Sequence, residues 1–447
     1  MELLTYLSEF SRERGNLPDL PIINLFAESA EPNGNVTLQS RPGLTNSTTL
    51  GTDPIRALYS EPGVFNQALF AVMGNKFYKG ITNLGTITGS GPVSIDSFEG
   101  TTFLTAGESL YKYDGTTLST VPYPNNASIR KIVVGASRLV TIQKDSQTIY
   151  WTGPLETTIN ALDFAQAEYS PDRLLDMLFI GDMLILFGEG TVEFWTSQTG
   201  SGDIPFAPVP GRMFPKGIKN TGAAVPLGAS WAWVTNTNQI CVTSPDNVIS
   251  TRKIETEIEE AGSASLWTFY LDSIEFLAVQ VGDKTHVFNT TNPTWTRFKT
   301  DGSENWEAQC YSNGYFGSAV TGKILTWSDS YIDSTVLERR FRVWAPINME
   351  TVVANSIFLR VNPGRTPYAV GNYTSPRIEM RLSRDGGNTW TNWRSTAMGS
   401  IGDYRKQTKF LSCGIFSYPG ALAEFRITDP VPFRVSSVSV NEPYGGY

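Results

Sequence analysis

Short hydrophobic runs and polar turns alternate along most of the 447-residue chain. Runs of Val, Ile, Phe, Tyr, Trp and Thr are interrupted by Gly, Asn or Asp roughly every 8–12 residues, a rhythm typical of short strands in sandwiches and barrels. A longer unit is superimposed on this rhythm: a hydrophobic strand, a polar or glycine turn, and a second strand with an aromatic or aliphatic residue. The pattern predicts an all-β protein.

The longer unit recurs from FNQALFAVMGNKFYKG (65–80) to NGYFGSAVTGKILTWSDS (313–330). Four-stranded propeller blades recur at roughly 40–50 residues. The spacing therefore predicts a β-propeller of six or seven blades over residues 36–335. An irregular series of hairpins in a large sandwich is the alternative. One residue from each second strand marks the repeat, at a mean interval of about 41 residues: Tyr78, Tyr111, Tyr150, Phe194, Cys241, Val287 and Leu325.

The two ends of the chain depart from the repeat. Residues 1–35 contain NLPDLPIINLF, whose prolines favour an extended N-terminal arm. After ERRFRVWAPINM (338–349) the repeat stops, and residues 336–447 are predicted to form a separate C-terminal β-sandwich. The arm is predicted to lie along another surface.

Composition narrows the functional classes. The chain has 35 Lys and Arg against 43 Asp and Glu, a net charge of −8, and its pI is near 5.0. This balance argues against a protein that wraps nucleic acid with a basic face, but it is compatible with a wall past which DNA slides. No apolar run approaches the ~18 residues of a membrane span, so no membrane insertion is predicted.

Residues suited to catalysis or metal binding are sparse. Cys241, Cys310 and Cys413 are far apart, a spacing that predicts neither a zinc site nor a disulfide framework. His286 is the single histidine and lies in the strand-like KTHVFN, where a packing role is favoured over that of a general base. We therefore predict no enzyme, no catalytic residue, no cofactor and no metal.

One helix is predicted. RKIETEIEEAG (252–262) places Ile254 and Ile258 four residues apart and ends at Gly262, which indicates a short amphipathic helix. Four glutamates of this segment, between residues 255 and 260, form a carboxylate cluster. A solvated helix face is favoured over an acid–base pair.

One short motif is specific. Ser383, Asp385, Gly387, Thr389 and Trp390 match the S-x-D-x-G-x-T-W pattern of the Asp-box, which resembles hairpin turns of sialidase-type propellers. Locally, the Asp385 carboxylate can accept backbone N–H bonds and fold the turn. In that family the box is structural, and sialidase chemistry would require several boxes with an arginine cluster and a tyrosine nucleophile. A glycan-binding or glycan-cleaving propeller is therefore the alternative function.

Several further segments occur in a characteristic order. They include INLFAES (23–29), SRPGLT (40–45) with the turn Arg41, Pro42 and Gly43, and SPDRLLDMLFIGDMLILFGEGTVEFW (170–195). SRDGGNTW and RITDPVPFRVSSVSV follow near the C-terminus. Together these segments resemble the packaged-DNA stabilisation proteins, also called tail hub or nozzle proteins, of short-tailed bacteriophages.

The resemblance implies a structural protein of the virion tail, made in the host cytoplasm. It implies a β-propeller with an additional β domain, assembled as a homo-hexameric ring below the portal and its adaptor. Such a ring extends the DNA channel, helps retain packaged DNA and conducts it during ejection. The implied partners are further copies of the chain, the portal–adaptor proteins, tailspikes or tail fibres, tip-plug proteins and, transiently, viral double-stranded DNA. A cellular propeller scaffold is less favoured, because the chain contains no WD dipeptide.

Overall fold

A computed structural model describes residues 2–3, 19–30, 35–98, 100–198, 205–333, 336–347, 351–362 and 373–441. Most of the predicted arm before residue 19, and the terminal residues 442–447, lie outside the described residues. Within the described part of the chain, no helix has the length and hydropathy needed to cross a membrane.

The strands of the first half are, in chain order, β1 (Glu2–Leu3), β2 (Ile22–Ile23), β3 (Leu25–Ala30), β4 (Asn35–Ser40), β5 (Gly43–Thr49), β6 (Ile55–Tyr59), β7 (Phe70–Met73), β8 (Lys76–Lys79), β9 (Thr82–Thr86), β10 (Ser94–Phe98), β11 (Thr101–Thr105), β12 (Leu110–Tyr113), β13 (Leu118–Val121), β14 (Ile129–Gly135), β15 (Arg138–Gln143), β16 (Thr148–Thr152), β17 (Ile159–Gln166), β18 (Leu174–Ile180), β19 (Met183–Gly188), β20 (Val192–Ser197) and β21 (Phe206–Phe214). A single 3-10 turn spans Pro124–Asn126.

The second half contains helix α1 (Arg252–Ala261) and the strands β22 (Ala224–Leu227), β23 (Ser230–Val234), β24 (Ile240–Val242), β25 (Ser244–Val248), β26 (Ser265–Leu271), β27 (Ile274–Val281), β28 (Lys284–Asn289), β29 (Thr294–Phe298), β30 (Ala308–Ser312), β31 (Tyr315–Ser318), β32 (Lys323–Ser328), β33 (Arg339–Pro346), β34 (Val352–Val361), β35 (Arg377–Ser383), β36 (Arg394–Ala397), β37 (Thr408–Phe416), β38 (Gly420–Ile427) and β39 (Arg434–Val440). The predicted all-β class is confirmed.

The chain divides into two compact units. Unit 1 contains residues 1–45, 283–306 and 327–447, and unit 2 contains residues 46–282 and 307–326. The predicted domain boundaries near residues 35 and 335 stay predictions. The structure adds that segment 283–306, in the middle of the sequence repeat, groups with the two ends of the chain.

Unit 2 is a β-propeller, as the period predicts. It contains the antiparallel four-stranded sheets β6–β9, β10–β13, β14–β17, β18–β21 and β22–β25, followed by the hairpin β26–β27 and the strands β30–β32. The first strands β6, β10, β14, β18, β22, β26 and β30 contact one another in this order, and β30 contacts β6. These strands therefore form a closed cycle, the radial arrangement that protects sheet edges.

Two ends of unit 2 meet where this cycle closes. The backbone N–H of Leu50 donates to the carbonyl of Gly322 over 2.8 Å, and the N–H of Gly322 donates to the carbonyl of Gly51 over 3.2 Å. Close by, Ile55 on β6 and Ile324 on β32 belong to one buried apolar cluster. Closure thus uses both backbone pairing and apolar burial, so no interior edge strand is left open there.

Burial decreases from the second to the fourth strand of a sheet. All four residues of β7 are buried, as are five of six in β19. The fourth strands β9 and β25 contain no buried residue. The continuous apolar runs of the second strands suit burial on both faces. The buried clusters accordingly span neighbouring sheets, as with Trp151 on β16 and Leu184 on β19.

The seven residues that mark the sequence repeat all lie in strands. They fall in β8, β12, β16, β20, β24, β28 and β32, so the repeat measures the spacing between these strands. The helix prediction is also confirmed. Helix α1 is capped by the Thr251 hydroxyl, buries Ile254 and Ile258, and ends at Gly262 with φ 72°.

Unit 1 buries one apolar core between two sheets. The first has the order β3-β4-β39-β34-β37, and the second contains β28-β29-β2-β33-β38-β35-β36. Leu25, Leu38 and Ile357 of the first sheet share a cluster with Phe341 and Phe425 of the second. Strand β3, from the predicted arm, and strand β4, at the start of the predicted propeller range, thus belong to this core. The INLFA segment of the arm is buried nearly throughout.

Two carboxylates, the half-buried Asp96 and the fully buried Asp176, link neighbouring sheets of the propeller through backbone amides. Asp96 on β10 accepts from the N–H of Val134 on β14 over 2.7 Å. Asp176 on β18 accepts from the N–H of Gly222 over 2.7 Å and pairs with Lys131 Nζ at 3.0 Å. A side chain here satisfies an amide of the next sheet, as a buried donor requires.

The propeller should become more stable on mild acidification because of Asp96. Burial, with a smaller contribution from Glu61, raises the pKa of Asp96 from 3.8 to about 6. A raised folded-state pKa adds stability that is full below the unfolded pKa and is lost as pH rises through 6. Between pH 7.5 and 5 the free energy of unfolding should rise by about 1 kcal/mol more in the wild type than in Asp96→Asn. Denaturant titrations at both pH values measure this difference, and parallel pH profiles for the two proteins would contradict it.

Candidate functional site: a buried arginine and an arginine–tryptophan stack

The predicted turn Arg41-Pro42-Gly43 lies between β4 and β5, and its arginine is fully buried. The guanidinium meets Asp333 in a bidentate pair, with Nη1 to Oδ1 at 3.0 Å and Nη2 to Oδ2 at 2.7 Å. Nε donates to Asn24 Oδ1 over 3.0 Å, and the remaining N–H groups donate to the carbonyls of Pro42 and Lys299. All five guanidinium donors are therefore satisfied.

Aromatic rings also surround this ion pair. The Arg41 Cζ lies 5.4 Å from the ring centroid of Phe298 and 5.5 Å from that of Trp306. The Asp333 carboxylate additionally accepts from the N–H of Leu44 over 3.0 Å. A buried charge is tolerated only when it is paired and hydrogen-bonded in this way. The cluster thereby joins three segments of unit 1 that are remote in sequence.

Glycine is required at position 43 by a close backbone approach. A Cβ atom built there would lie 2.0 Å from the carbonyl oxygen of Ile332. Ile332 directly precedes Asp333, so the glycine lets the turn approach the segment that supplies the buried carboxylate. The sequence singled out Arg41, Pro42 and Gly43 but missed Asp333, which lies 292 residues away with no local signal.

The Asp-box residues lie at the end of β35 and in the connection to β36. The Asp385 carboxylate accepts from the Ser383 hydroxyl over 2.7 Å, and from the N–H and hydroxyl of Thr389 over 2.9 and 2.6 Å. The Gly387 N–H donates to Ser383 Oγ, and Trp390 Nε1 donates to the Gly387 carbonyl over 3.0 Å. Gly387 has φ 99°, which favours glycine. The Thr389 hydroxyl and amide hold the pKa of Asp385 well below its usual range.

Trp390 belongs to a stack in which arginines and tryptophans alternate. The Cζ atoms of Arg342 and Arg381 lie 4.8 and 4.6 Å from the ring centroids of Trp390. Arg381 and Arg426 lie 4.7 and 4.3 Å from the centroids of Trp393. The order is Arg342, Trp390, Arg381, Trp393, Arg426, and each contact has cation–π geometry.

Carboxylates hold the arginines of this stack in place. Glu424 on β38 is fully buried and accepts from Arg342 Nε over 2.7 Å and from Arg381 Nε. Glu379 on β35 accepts from Arg426 Nε over 2.8 Å. The three arginines lie on neighbouring strands β33, β35 and β38, so sheet register brings them into line. The sequence did not reveal this stack, because it depends on that register.

The arginines of the basic run ERRFR bond to groups within unit 1. Arg339 is buried and donates to the carbonyls of Val431 and Asp429. Arg340 pairs with Glu338 at 3.4 Å, and Arg342 pairs with Glu424. Alternation along β33 sends Arg339 to one face and the other two arginines to the opposite face. These arginines thus pair with acidic residues of the same unit.

The other residues of types that could act in catalysis or metal binding are buried or lie far apart. His286 on β28 is fully buried, and its ring packs edge-on against Trp295, with 6.5 Å between the ring centroids. Burial raises the pKa of the Cys241 and Cys310 thiols to about 11 and 12. Across the described ranges, no three His, Cys, Asp or Glu residues are grouped so as to hold a metal ion.

Charge is distributed unequally between the two units. Unit 2 contains 15 Lys and Arg against 24 Asp and Glu, a net charge of −9. Unit 1 contains 20 against 19, and its segment 327–447 alone carries 14 against 10, a net charge of +4. The acidic excess of the chain therefore resides in the propeller.

The propeller carries a groove between β17 and β21. Its volume is about 430 Å³. The buried rings of Trp195 and Phe206 form its apolar lining, and Glu168, Tyr169 and Arg212 line it with exposed side chains. We call this feature the groove.

A closed propeller joined to a second all-β unit, with its charged clusters paired internally, defines a structural β-propeller protein. The family described as "Bacteriophage P22 Gp10, beta-propeller", a family of phage stabilisation proteins, matches residues 11–323. The chain belongs to this family. The prediction of a packaged-DNA stabilisation or tail hub protein is confirmed.

Among curated proteins the chain is similar to the tail hub protein gp10 of Salmonella phage P22. The two are 24% identical over 310 residues, which cover 63% of this chain and 65% of the P22 protein. The chain thus spans slightly less than two thirds of the length of that relative.

Solved structures with a similar course of the chain include BamB from Moraxella catarrhalis, with a TM-score of 0.36 and 14% identity over 65% of this chain and 97% of that chain. They also include the β-propeller domain of Cps50 (Swd1) from Myceliophteria thermophila, with a TM-score of 0.42 and 9% identity over 64% of this chain and 99% of that chain.

Removing the partner of the buried carboxylate should destabilise unit 1. Arg41→Met leaves Asp333 buried and unpaired, a change that typically costs about 3–5 kcal/mol. Hydrogen exchange should be measured by mass spectrometry on the variant and the wild type. The substitution should accelerate exchange more in β2–β4 and β33–β39 than in the propeller strands. The control is Arg173→Met, which breaks the exposed Arg173–Glu189 pair and should cost about 0–1 kcal/mol. Equal effects of the two substitutions would contradict a structural role for Arg41.

Truncating the Asp-box carboxylate should loosen its hairpin. Asp385→Ala removes the acceptor for Ser383 and Thr389, so amide exchange in residues 384–393 should accelerate and the melting temperature should fall. Because the pKa of Asp385 is lowered, its stabilising contribution is present above pH 4 or so and is lost as pH falls through the folded-state pKa. Asp403→Ala, at an exposed aspartate of the same unit, is the control. Unchanged exchange in the hairpin would show that the box is dispensable.

Proposed function

We propose that this chain is a tail hub protein of a short-tailed bacteriophage, with a structural role in the virion tail. The observation that carries this conclusion is its membership of the P22 gp10 propeller family over residues 11–323. The order of segments from INLFAES to SPDRLLDMLFIGDMLILFGEG, which lies within that range, agrees with it.

In this proposal, six copies form a ring below the portal and its adaptor. The ring extends the DNA channel, helps retain the packaged genome and conducts it at ejection. Its outer surfaces bind tailspikes or tail fibres, and its tip contacts plug proteins. The rigid organisation of each unit supports such a load-bearing role, because the buried Arg41–Asp333 pair and the closed propeller fix remote segments together.

The charge distribution supports a passive wall for DNA. A propeller of net charge −9 repels a polyanion, so duplex DNA passing over it would not adhere. The three arginines of the stack in unit 1 are paired with Glu424 and Glu379. They therefore offer little unpaired positive charge for phosphates.

The structure gives no support to a glycan-directed alternative. In the Asp-box, the carboxylate and hydroxyls bond to one another and to the turn backbone. The polar side chains of the Asp-box thus use their hydrogen bonds within the turn. We therefore propose a protein without catalytic activity, cofactor or metal.

Electron microscopy tests the proposed function. The purified chain should be imaged alone and after mixing with the purified portal–adaptor assembly of its virus, with an unrelated β-propeller of similar size as the control. We expect rings with a central hole seated on the adaptor, because the proposed function requires a continuous channel. Compact particles that never bind the assembly, as in the control, would overturn the proposal.

A further inference from the structure

Strands β34 and β37 and the turn after β37 together expose four large apolar side chains. Val353, Leu411, Ile415 and Tyr418 are 56%, 58%, 56% and 71% exposed. Val353 and Ile415 are direct cross-strand partners, so their side chains are neighbours on one surface. We call these four residues the patch. Neighbouring exposed apolar side chains such as Val353 and Ile415 mark a candidate interaction site.

Basic residues surround the patch and occupy the backbone edge beside it. Lys409 lies on β37, two residues before Leu411. Arg384 donates to the carbonyl of Ile415 over 3.2 Å, and Arg394 donates to that of Ser412 over 3.2 Å. Because these carbonyls already accept hydrogen bonds, a partner would meet the side chains of the patch rather than add a strand to β37.

The groove on the propeller offers complementary chemistry. It is concave, with the apolar rings of Trp195 and Phe206, whereas the patch consists of exposed side chains. Exposed Glu168 lines it, and buried Glu193 accepts from the N–H of Tyr169 and from Trp195 Nε1, each over 3.1 Å. Although Arg212 also lines the groove, the surrounding unit is acidic overall, at −9.

We propose that the patch of one copy docks into the groove of a second copy of this chain. The basic segment 327–447 then faces an acidic propeller, so charge complementarity favours this contact over patch against patch or groove against groove. Two different surfaces meet in such a contact, which makes it heterologous, and heterologous contacts close into rings when the rotation allows.

This inference rests on the proposed function only in that both require copies of the chain to assemble. The patch variant carries Leu411→Glu and Ile415→Glu, and the groove variant carries Glu168→Lys and Tyr169→Ala. Each changes exposed side chains, so the melting temperature should match that of the wild type. The control carries Ile81→Glu, at a residue that is 76% exposed and belongs to neither surface.

Mass photometry and sedimentation velocity should be run on each protein alone and on an equimolar mixture of the two variants. We expect each variant to self-associate at least tenfold more weakly than the wild type and the control. The mixture should form a dimer and nothing larger, because one intact patch meets one intact groove. Wild-type association of either variant, or a mixture that stays monomeric, would overturn the inference.

The number of bound copies of each protein should also be counted on the portal–adaptor assembly. Variants that still bind the assembly but fail to complete a ring would support the inference. Variants that complete the ring as the wild type does would overturn it and leave the proposed function intact. A wild-type chain that neither self-associates nor binds the assembly would overturn both.

Discussion

The buried pair between Arg41 and Asp333 is the interaction on which unit 1 depends. A charge in an apolar interior is tolerated only when every donor finds an acceptor, and this guanidinium uses all five of its donors. Its partners come from the N-terminal strands, from the segment after β29 and from the segment before β33. The pair therefore specifies which remote pieces of chain belong together, and Gly43 supplies the close approach that lets them meet.

Other charges follow the same rule of internal pairing. Glu424 is fully buried because Arg342 and Arg381 bond to it from two neighbouring strands, and the tryptophans of the Asp-box loop cover those arginines. The Asp-box folds a local turn, and the same turn delivers Trp390 to the sheet face. A motif that elsewhere suggests glycosidases thus works here as a device that fixes a hairpin to an arginine-rich sheet.

The propeller obeys a different constraint, the removal of sheet edges. Its second strands are apolar on both faces, so each sheet is stable only between two neighbours. Closure between Leu50 and Gly322 gives the first and last sheets such neighbours. Asp96 and Asp176 add hydrogen bonds between successive sheets. Together these contacts make a closed unit with an acidic net charge.

The sequence by itself determined the features that depend on local spacing. Alternation gave the strands, the period near 41 residues gave the propeller, and the i,i+4 isoleucines gave helix α1. The Asp-box gave its turn, because its hydrogen bonds join residues at most four positions apart. Only the tertiary structure decided that segment 283–306 groups with unit 1, that Arg41 meets Asp333, and that arginines and tryptophans alternate in a stack. These choices depend on register and on contacts between segments hundreds of residues apart, and no local pattern specifies a partner at that distance.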